Sequence, residues 1–117
     1  MNKYGVLTTP EEWAAHDDGT YETFDEEGTY RVRLDFRGWY QNGRHYGIIC
    51  HFTDLEEGVG WKAFCFRKNV NGNEVYCPQD KSVDFERVED GTIWDVTIAK
   101  TPKGKYTFAS AKKVEVA

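Results

Sequence analysis

From Gly28 onward the chain alternates between apolar and polar side chains, which is the period of a β-strand with one buried face. The clearest example is the segment TYRVRLDFR at residues 29–37, which predicts the first strand. Its apolar face is expected to carry Tyr30, Val32, Leu34 and Phe36, and its polar face Arg31, Arg33, Asp35 and Arg37. This alternation predicts a strand that covers a core with one face only.

The next two predicted strands, Tyr46–Thr53 and Trp61–Lys68, have apolar side chains on both faces. A tight turn is predicted before them at Asn42-Gly43, because both residues tolerate a positive φ angle. Strands of this kind are either covered on both sides or bind a partner with their outer face. In so small a chain the cover would be a short N-terminal helix, so both alternatives stay open.

That helix is predicted at about residues 9–16, where Thr9 can serve as N-cap, Pro10 suits the first helical position and Glu12 completes a capping box. Further short strands are predicted near residues 74–77, 83–87, 92–100 and 105–110, with a turn at Asn71-Gly72. The pattern predicts an all-β fold, a small, closed or nearly closed antiparallel barrel of five to seven strands. Residues 1–28 would form an acidic segment with the helix, and residues 29–117 the barrel.

The composition fits one small domain that is rich in aromatic residues. The chain has 117 residues, and its 4 Trp, 7 Tyr and 7 Phe carry much of the burial that aliphatic residues usually supply. No apolar run approaches the length of a membrane span, and no apolar leader is present. The odd set of cysteines, Cys50, Cys65 and Cys77, is therefore expected to consist of reduced thiols. These features predict a soluble, cytoplasmic protein.

The net charge of −5 is unevenly distributed along the chain. Residues 1–30 hold eight acidic residues and one basic residue, which gives −7, and residues 31–117 hold 12 acidic and 14 basic residues, which gives +2. A nucleic-acid site needs a positive footprint for the phosphates. The charge pattern thus leaves two options, a local basic face or a protein partner.

Aromatic and basic residues occur together around the second and third strands. Single-stranded nucleic acid is bound by rings that stack on the bases, next to Lys or Arg side chains that contact the phosphates. The candidate nucleic-acid-binding residues are Arg37, Trp39, Tyr40, Arg44, Tyr46, Lys62, Phe64, Phe66, Arg67 and Lys68. Alternatively, Arg31, Arg33 and Arg37 pair with acidic residues of the N-terminal segment.

The residue pattern gives no case for an enzyme, a cofactor or a metal. Cys50 and His51 are neighbours on a strand and point to opposite faces, which argues against a nucleophile and its base. No Cys-x-x-Cys spacing occurs, and the GVG at residues 58–60 lacks the continuation of a phosphate-binding loop. We expect a non-enzymatic binding protein.

Four segments follow one another in a recognisable order between about Arg37 and Val114: GWY (38–40), HYGII (45–49), AFCF (63–66) and KGKYTF (103–108). This order resembles the OB-fold barrels of cold-shock-type domains, with an aromatic first strand, Lys-Gly-Tyr-Gly-Phe-like and Phe-x-x-Phe-like strands, and a last strand after a Lys-Gly turn. The resemblance implies an OB-like barrel in which Trp39, Tyr46, Phe64 and Phe66 stack on bases. The chain departs from the pattern in its second and third motifs, where Arg44-His45 replaces Lys-Gly and the spacing is Phe-x-Phe.

Three functions follow as alternatives. The first is binding of single-stranded DNA or RNA. The second is a protein-binding module or inhibitor, typical of phage or mobile elements, that targets a basic surface of a host nucleic-acid-handling or defence factor. The third is a structural subunit that pairs its edge strands. For the second, the candidate residues are Glu11, Glu12, Asp17, Asp18, Asp25, Glu26 and Glu27.

Overall fold

The computed structural model describes residues 6–42 and 44–115, and most of these residues belong to one β-sheet. The elements are α1 (Pro10–Asp17), β1 (Tyr21–Thr23), β2 (Gly28–Asn42), β3 (His45–Asp54), β4 (Gly60–Val70), β5 (Asn73–Cys77), β6 (Ile93–Lys100) and β7 (Tyr106–Lys113). The strand order is β1-β4-β3-β2-β6-β7, and β5 also pairs with β4. The predicted β-rich fold with one short helix is confirmed.

The sheet curls around the core but does not close, so of the predicted closed or nearly closed barrel the closed form is wrong. Cα atoms of β4 and β7 approach within 8 Å, yet no ladder joins these strands in the described part of the chain. The outer edge of β4 is shared between β1, which runs parallel to it, and β5, which runs antiparallel. Across the gap, the backbone N–H groups of Gln79 and Asp80 donate to the carbonyls of Phe108 and Ala109 at 2.9 and 3.0 Å.

The core lies on the concave face of the curled sheet. It includes the fully buried side chains Val32, Leu34, Ile48, Cys50, Phe52, Cys65, Phe85 and Val96. Phe85 comes from the loop between β5 and β6 and contacts the rings of Phe52, Trp94 and Phe108. All three cysteines are free thiols and buried, and burial raises the pKa of Cys65.

A β-bulge in β2 reverses the second half of the predicted first strand. Leu34 pairs with Phe52 and Phe36 pairs with His51, so Asp35 is an extra residue in β2. Beyond the bulge the two faces exchange, and Phe36 lies on the outer face while Arg37 enters the core. The predicted alternation is therefore right as far as Leu34 and wrong for Phe36 and Arg37.

Arg37 is fully buried because the core offers it hydrogen-bond acceptors. Its Nε donates to Asp90 Oδ1 at 2.9 Å, and its Nη1 donates to the backbone carbonyls of Phe85 and Glu86 at 2.8 and 3.0 Å. Burial raises the pKa of Asp90, an effect that the Arg37 guanidinium partly offsets. Arg37 thus holds the loop before β6 and has no surface to offer a phosphate, which removes it from the predicted binding residues.

The other two arginines of the first strand pair within the sheet. Arg31 Nε donates to Asp95 Oδ1 at 2.9 Å, and Arg33 Nε donates to Asp35 Oδ1 at 2.9 Å. Both carboxylates belong to strands, so the predicted pairing of these arginines with the acidic N-terminal segment is wrong.

The N-terminal segment is part of the sheet. The predicted capping box is present, since Thr9 Oγ1 accepts from the Glu12 N–H at 3.2 Å and Glu12 Oε1 accepts from the Thr9 N–H at 3.0 Å. Strand β1, which the pattern did not predict, pairs with β4 from Tyr21↔Gly60 to Thr23↔Lys62.

Two further predictions concern turns and a strand. Asn71 and Gly72 have φ angles of 52° and 82°, which confirms the predicted turn, whereas Gly43 of the predicted Asn42-Gly43 turn lies outside the described residues. The strand predicted at residues 83–87 is wrong, because Asp84 Oδ1 accepts from the N–H groups of Tyr76 and Glu86 at 3.2 and 3.1 Å and holds a turn there. In the described ranges, no helix has the length and apolarity needed to cross a membrane.

Candidate nucleic-acid interface

The outer face of strands β2, β3 and β4 is half covered and half open. On the covered half, His51 lies under Trp13 and His16 of α1, with the Trp13 and His51 ring centroids 6.4 Å apart, and Phe36 contacts the Tyr21 ring of β1 at 5.4 Å. On the open half, the side chains of Tyr40, Ile49, Phe64 and Phe66 line a groove. The predicted helix cover is therefore present on one half of the face, and the other half is left open.

The helix reaches the sheet because Gly38 has no side chain. A Cβ atom at Gly38 would lie 2.0 Å from Thr8 Oγ1 and 3.2 Å from the Trp13 ring. Thr8 Oγ1 instead donates to the backbone carbonyl of Arg37 at 3.3 Å. The chain leading into α1 is thus fixed directly on β2.

A pair of histidines joins α1 to β3. His16 Nδ1 and His51 Nε2 are 2.8 Å apart and share one hydrogen bond, and the His51 ring stacks on Phe36 at 4.1 Å. His51 is fully buried, and its Nδ1 has no hydrogen-bond partner among the described residues. Burial, and next the proximity of His16, lower the pKa of His51 to about 3. Burial and the Lys62 ammonium lower the pKa of His16 as well.

The open half of the face forms what we call the aromatic groove, a cleft of about 620 Å³ lined by His16, Thr23, Tyr40, Ile49, Lys62, Phe64 and Phe66. The Phe64 ring stands between its neighbours, with centroid distances of 5.3 Å to Tyr40 and 5.8 Å to Phe66. A Cβ atom at Gly47 would lie 2.7 Å from this ring, so the Phe64 ring can lie against β3 because residue 47 has no side chain. All three rings remain partly exposed.

The groove continues into a notch of about 230 Å³, which we call the basic notch, lined by Arg44, Tyr46, Phe64, Phe66, Arg67 and Lys68. Lys68 Nζ lies 5.7 Å from the Phe66 ring centroid, and the Arg67 guanidinium lies 5.9 Å from that of Tyr46. No carboxylate lines the groove or the notch in the described part of the chain. None of their four Lys and Arg residues forms an ion pair with a described acidic residue.

The predicted binding residues therefore separate into groups. Tyr40, Lys62, Phe64 and Phe66 line the groove, and Arg44, Arg67 and Lys68 line the notch. Trp39 and Tyr46 point to the concave face, where their rings stack at 5.6 Å and pack against the core, although the Tyr46 side chain also reaches the notch. The groove and the notch thus bring together eight of the ten predicted residues, all but Arg37 and Trp39, and the base-stacking role implied for Trp39 does not fit its position.

The sequence did not indicate His16, Thr23 or Ile49 as groove residues. Ile49 carried a signal, because it breaks the alternation of a one-sided strand. His16 and Thr23 carried none, since they reach the groove only through the docking of α1 and β1 on the sheet. Of the predicted protein-binding residues, Glu12 is used in the capping box, and Glu11, Asp17, Asp18, Asp25, Glu26 and Glu27 are exposed.

Comparison with protein-family models, with curated proteins and with solved structures finds no match to this chain.

Proposed function

We propose that this chain is a non-enzymatic, OB-like protein that binds single-stranded nucleic acid in the aromatic groove and the basic notch. The observation that carries the proposal is the meeting of three partly exposed rings with four Lys and Arg side chains on a surface without a carboxylate lining. Rings of this kind stack on bases, and the cations neutralise phosphates.

The path of the strands supports the OB-like part of the proposal. Strands β2, β3 and β4 form an antiparallel meander, β6 returns to β2, and β7 faces β4 across the gap. OB folds are five-stranded, partly open barrels that bind oligonucleotides on the face of their second and third strands. Four of the seven groove residues, Ile49, Lys62, Phe64 and Phe66, belong to β3 and β4, which would correspond to those strands.

The proposal is tested by fluorescence anisotropy with labelled oligo-dT and oligo-U at several salt concentrations. We expect binding that weakens with salt, with a slope of log K against log[salt] no steeper than about −3, because four cations neutralise at most four phosphates at about −0.7 each. Absence of binding even at low salt would sink the proposal.

A pair of variants locates the site. Phe64→Ala is expected to weaken binding by about 1–3 kcal/mol, since it removes a stacking ring. Tyr30→Ala, which removes a partly buried ring at Phe24 and Trp61 away from the groove, is the matched control and should leave the affinity unchanged. Circular dichroism is the control that checks whether both variants are folded.

The acidic N-terminal segment favours a second candidate, a module that binds a basic protein surface. Glu11, Asp17 and Asp18 are exposed on or next to α1, beside the groove. Glu22 of β1 is a further exposed acidic residue of this segment. In a pull-down from a host lysate, a Glu11→Gln, Asp17→Asn, Glu22→Gln variant would lose such a partner while keeping its affinity for oligonucleotides. Unchanged capture by this variant would argue against the second candidate.

A further inference from the structure

The two ends of the binding surface carry different kinds of cation. Lys62 lies at the α1 end, where it pairs with His51 across the β3–β4 ladder. Arg44, Arg67 and Lys68 lie at the opposite end, and Lys68 is six positions beyond Lys62 in β4, or about 20 Å along the strand. Phe64 and Phe66 line both the groove and the notch and therefore lie between these ends.

The Lys62 ammonium is held in place, unlike that of a lysine on an open surface. Its Nζ donates to the backbone carbonyl of His16 at 3.3 Å, and its stem is partly buried. An ammonium has three donors and no acceptor, so at least one N–H group remains for a ligand. Two other polar residues lie at this end: His16, whose Nδ1 is used in the bond to His51, and Thr23, which pairs with Lys62 across the β1–β4 ladder. The Thr23 hydroxyl can donate or accept a hydrogen bond and so does not itself discriminate between bases.

A nucleotide that stacks on these phenylalanines has one preferred direction. The sugar-phosphate backbone is attracted to the end with three cations, which directs the edge of the base toward α1 and Lys62. A fixed donor at that edge favours bases with a keto oxygen at C4 of a pyrimidine or C6 of a purine, as in thymine, uracil and guanine. Cytosine and adenine carry an amino group at the corresponding position. An amino group is a hydrogen-bond donor and cannot accept a hydrogen bond from the Lys62 ammonium.

We infer that Lys62 is a specificity-determining residue of the aromatic groove, and that the preferred ligand is a single strand with keto bases. This inference rests on the proposed function. Arg44, Arg67 and Lys68 supply affinity without regard to sequence, whereas Lys62 supplies discrimination.

The test compares oligonucleotides that differ only at the exocyclic group. Affinities of labelled dU and dC hexamers are measured by anisotropy at one low salt concentration, with U and C hexamers as the RNA arm. We expect the keto strands to bind at least fivefold more tightly. Lys62→Met should bring the dU to dC ratio close to one with little change for dC, and Lys62→Arg, which keeps a donor, should retain a preference.

Lys68→Met is the matched control, because it should weaken dU and dC equally and leave their ratio intact. A ratio of one in the unmodified chain overturns the inference, as does a Lys62→Met variant that keeps the preference or loses affinity equally for both strands. If no hexamer binds, the proposed function fails together with the inference. Lys62→Leu, which also removes the donor, serves as a second variant if Lys62→Met does not fold by circular dichroism.

Discussion

His51 is a polar residue that is fully buried between α1 and the sheet. It shares a hydrogen bond with His16, and aromatic rings of Phe36 and Tyr21 lie at 4.1 and 5.0 Å from its own. Its pKa is lowered to about 3, so the ring is neutral at neutral pH. The docking of the helix therefore depends on a histidine that stays uncharged.

This burial predicts acid sensitivity. Between pH 6.5 and about 3, the unfolded chain binds a proton on residue 51 that the folded chain excludes, so the free energy of unfolding falls as the pH is lowered through this window. The contribution of His51 is fully present above pH 6.5, and its loss amounts to about 1.4 kcal/mol per pH unit. We expect His51→Phe to flatten the dependence, as measured by urea unfolding at pH 6.5, 5.5 and 4.5.

His16 gives the internal control for this experiment. Its pKa is lowered too, so a weaker acid sensitivity of the same sign should remain in the His51→Phe variant and disappear when His16→Phe is added. An equally steep dependence in the His51→Phe variant would contradict the prediction.

Strand β2 shows how far a sequence pattern defines an element. The alternation correctly predicted its existence and its first half, because Val32 and Leu34 are fully buried in the core. It could not predict the bulge at Asp35, since FRGWY alternates equally well in either register. The register is decided by groups far along the chain. These are the Asp90 carboxylate and the carbonyls of Phe85 and Glu86, which accept hydrogen bonds from Arg37.

The same limit applies to the candidate site. Aromatic and basic residues on the second and third predicted strands indicated the surface, and Tyr40, Lys62, Phe64 and Phe66 do line one groove. Trp39 was included because composition does not record the face on which a ring lies. The closure of the barrel was wrong for a related reason, because strand periodicity says nothing about which edges pair.

Strand β3 gives a prediction about the support of Phe64. A methyl group at Gly47 would lie 2.7 Å from the Phe64 ring and 2.6 Å from the Cys65 carbonyl oxygen, so Gly47→Ala forces the ring away from the strand. We expect a loss of about 1–3 kcal/mol in stability, together with weaker oligonucleotide binding. Urea unfolding and anisotropy measure the two effects.

Thr29→Ala, on an exposed position of β2, is the control for this exchange and should change neither quantity measurably. If Gly47→Ala leaves both stability and affinity at their original values, Phe64 does not depend on the space above Gly47.

The whole molecule is one unit that includes its acidic beginning. α1 covers His51, β1 extends the sheet beside β4, and Phe24 stacks on Trp61 at 4.8 Å. The predicted division at residue 28 separates two compositions, but the core crosses that boundary.

Removal of residues 1–28 is therefore expected to destabilise the chain. It deletes the buried Phe24, and burial of such a ring contributes about 3–5 kcal/mol, which corresponds to a melting temperature lower by more than about 12 °C. Calorimetry of the truncated and full chains tests this, with the Glu11→Gln, Asp17→Asn, Glu22→Gln variant as a control for the loss of charge alone. A truncated chain that melts within a few degrees of the full one would contradict the prediction.

The bulge at Asp35 also makes the chemistry of the surface depend on a count of residues. Asp35 is the extra residue, so deleting it would restore an unbroken ladder with β3 and leave the pairs from Phe36 onward as they are. Losing one residue of β2 while the bulge is kept would instead move the following stretch to the opposite face, so that Tyr40 would enter the core and Trp39 would face the solvent. The number of residues between Leu34 and Tyr40 therefore decides which of two neighbouring rings lines the groove.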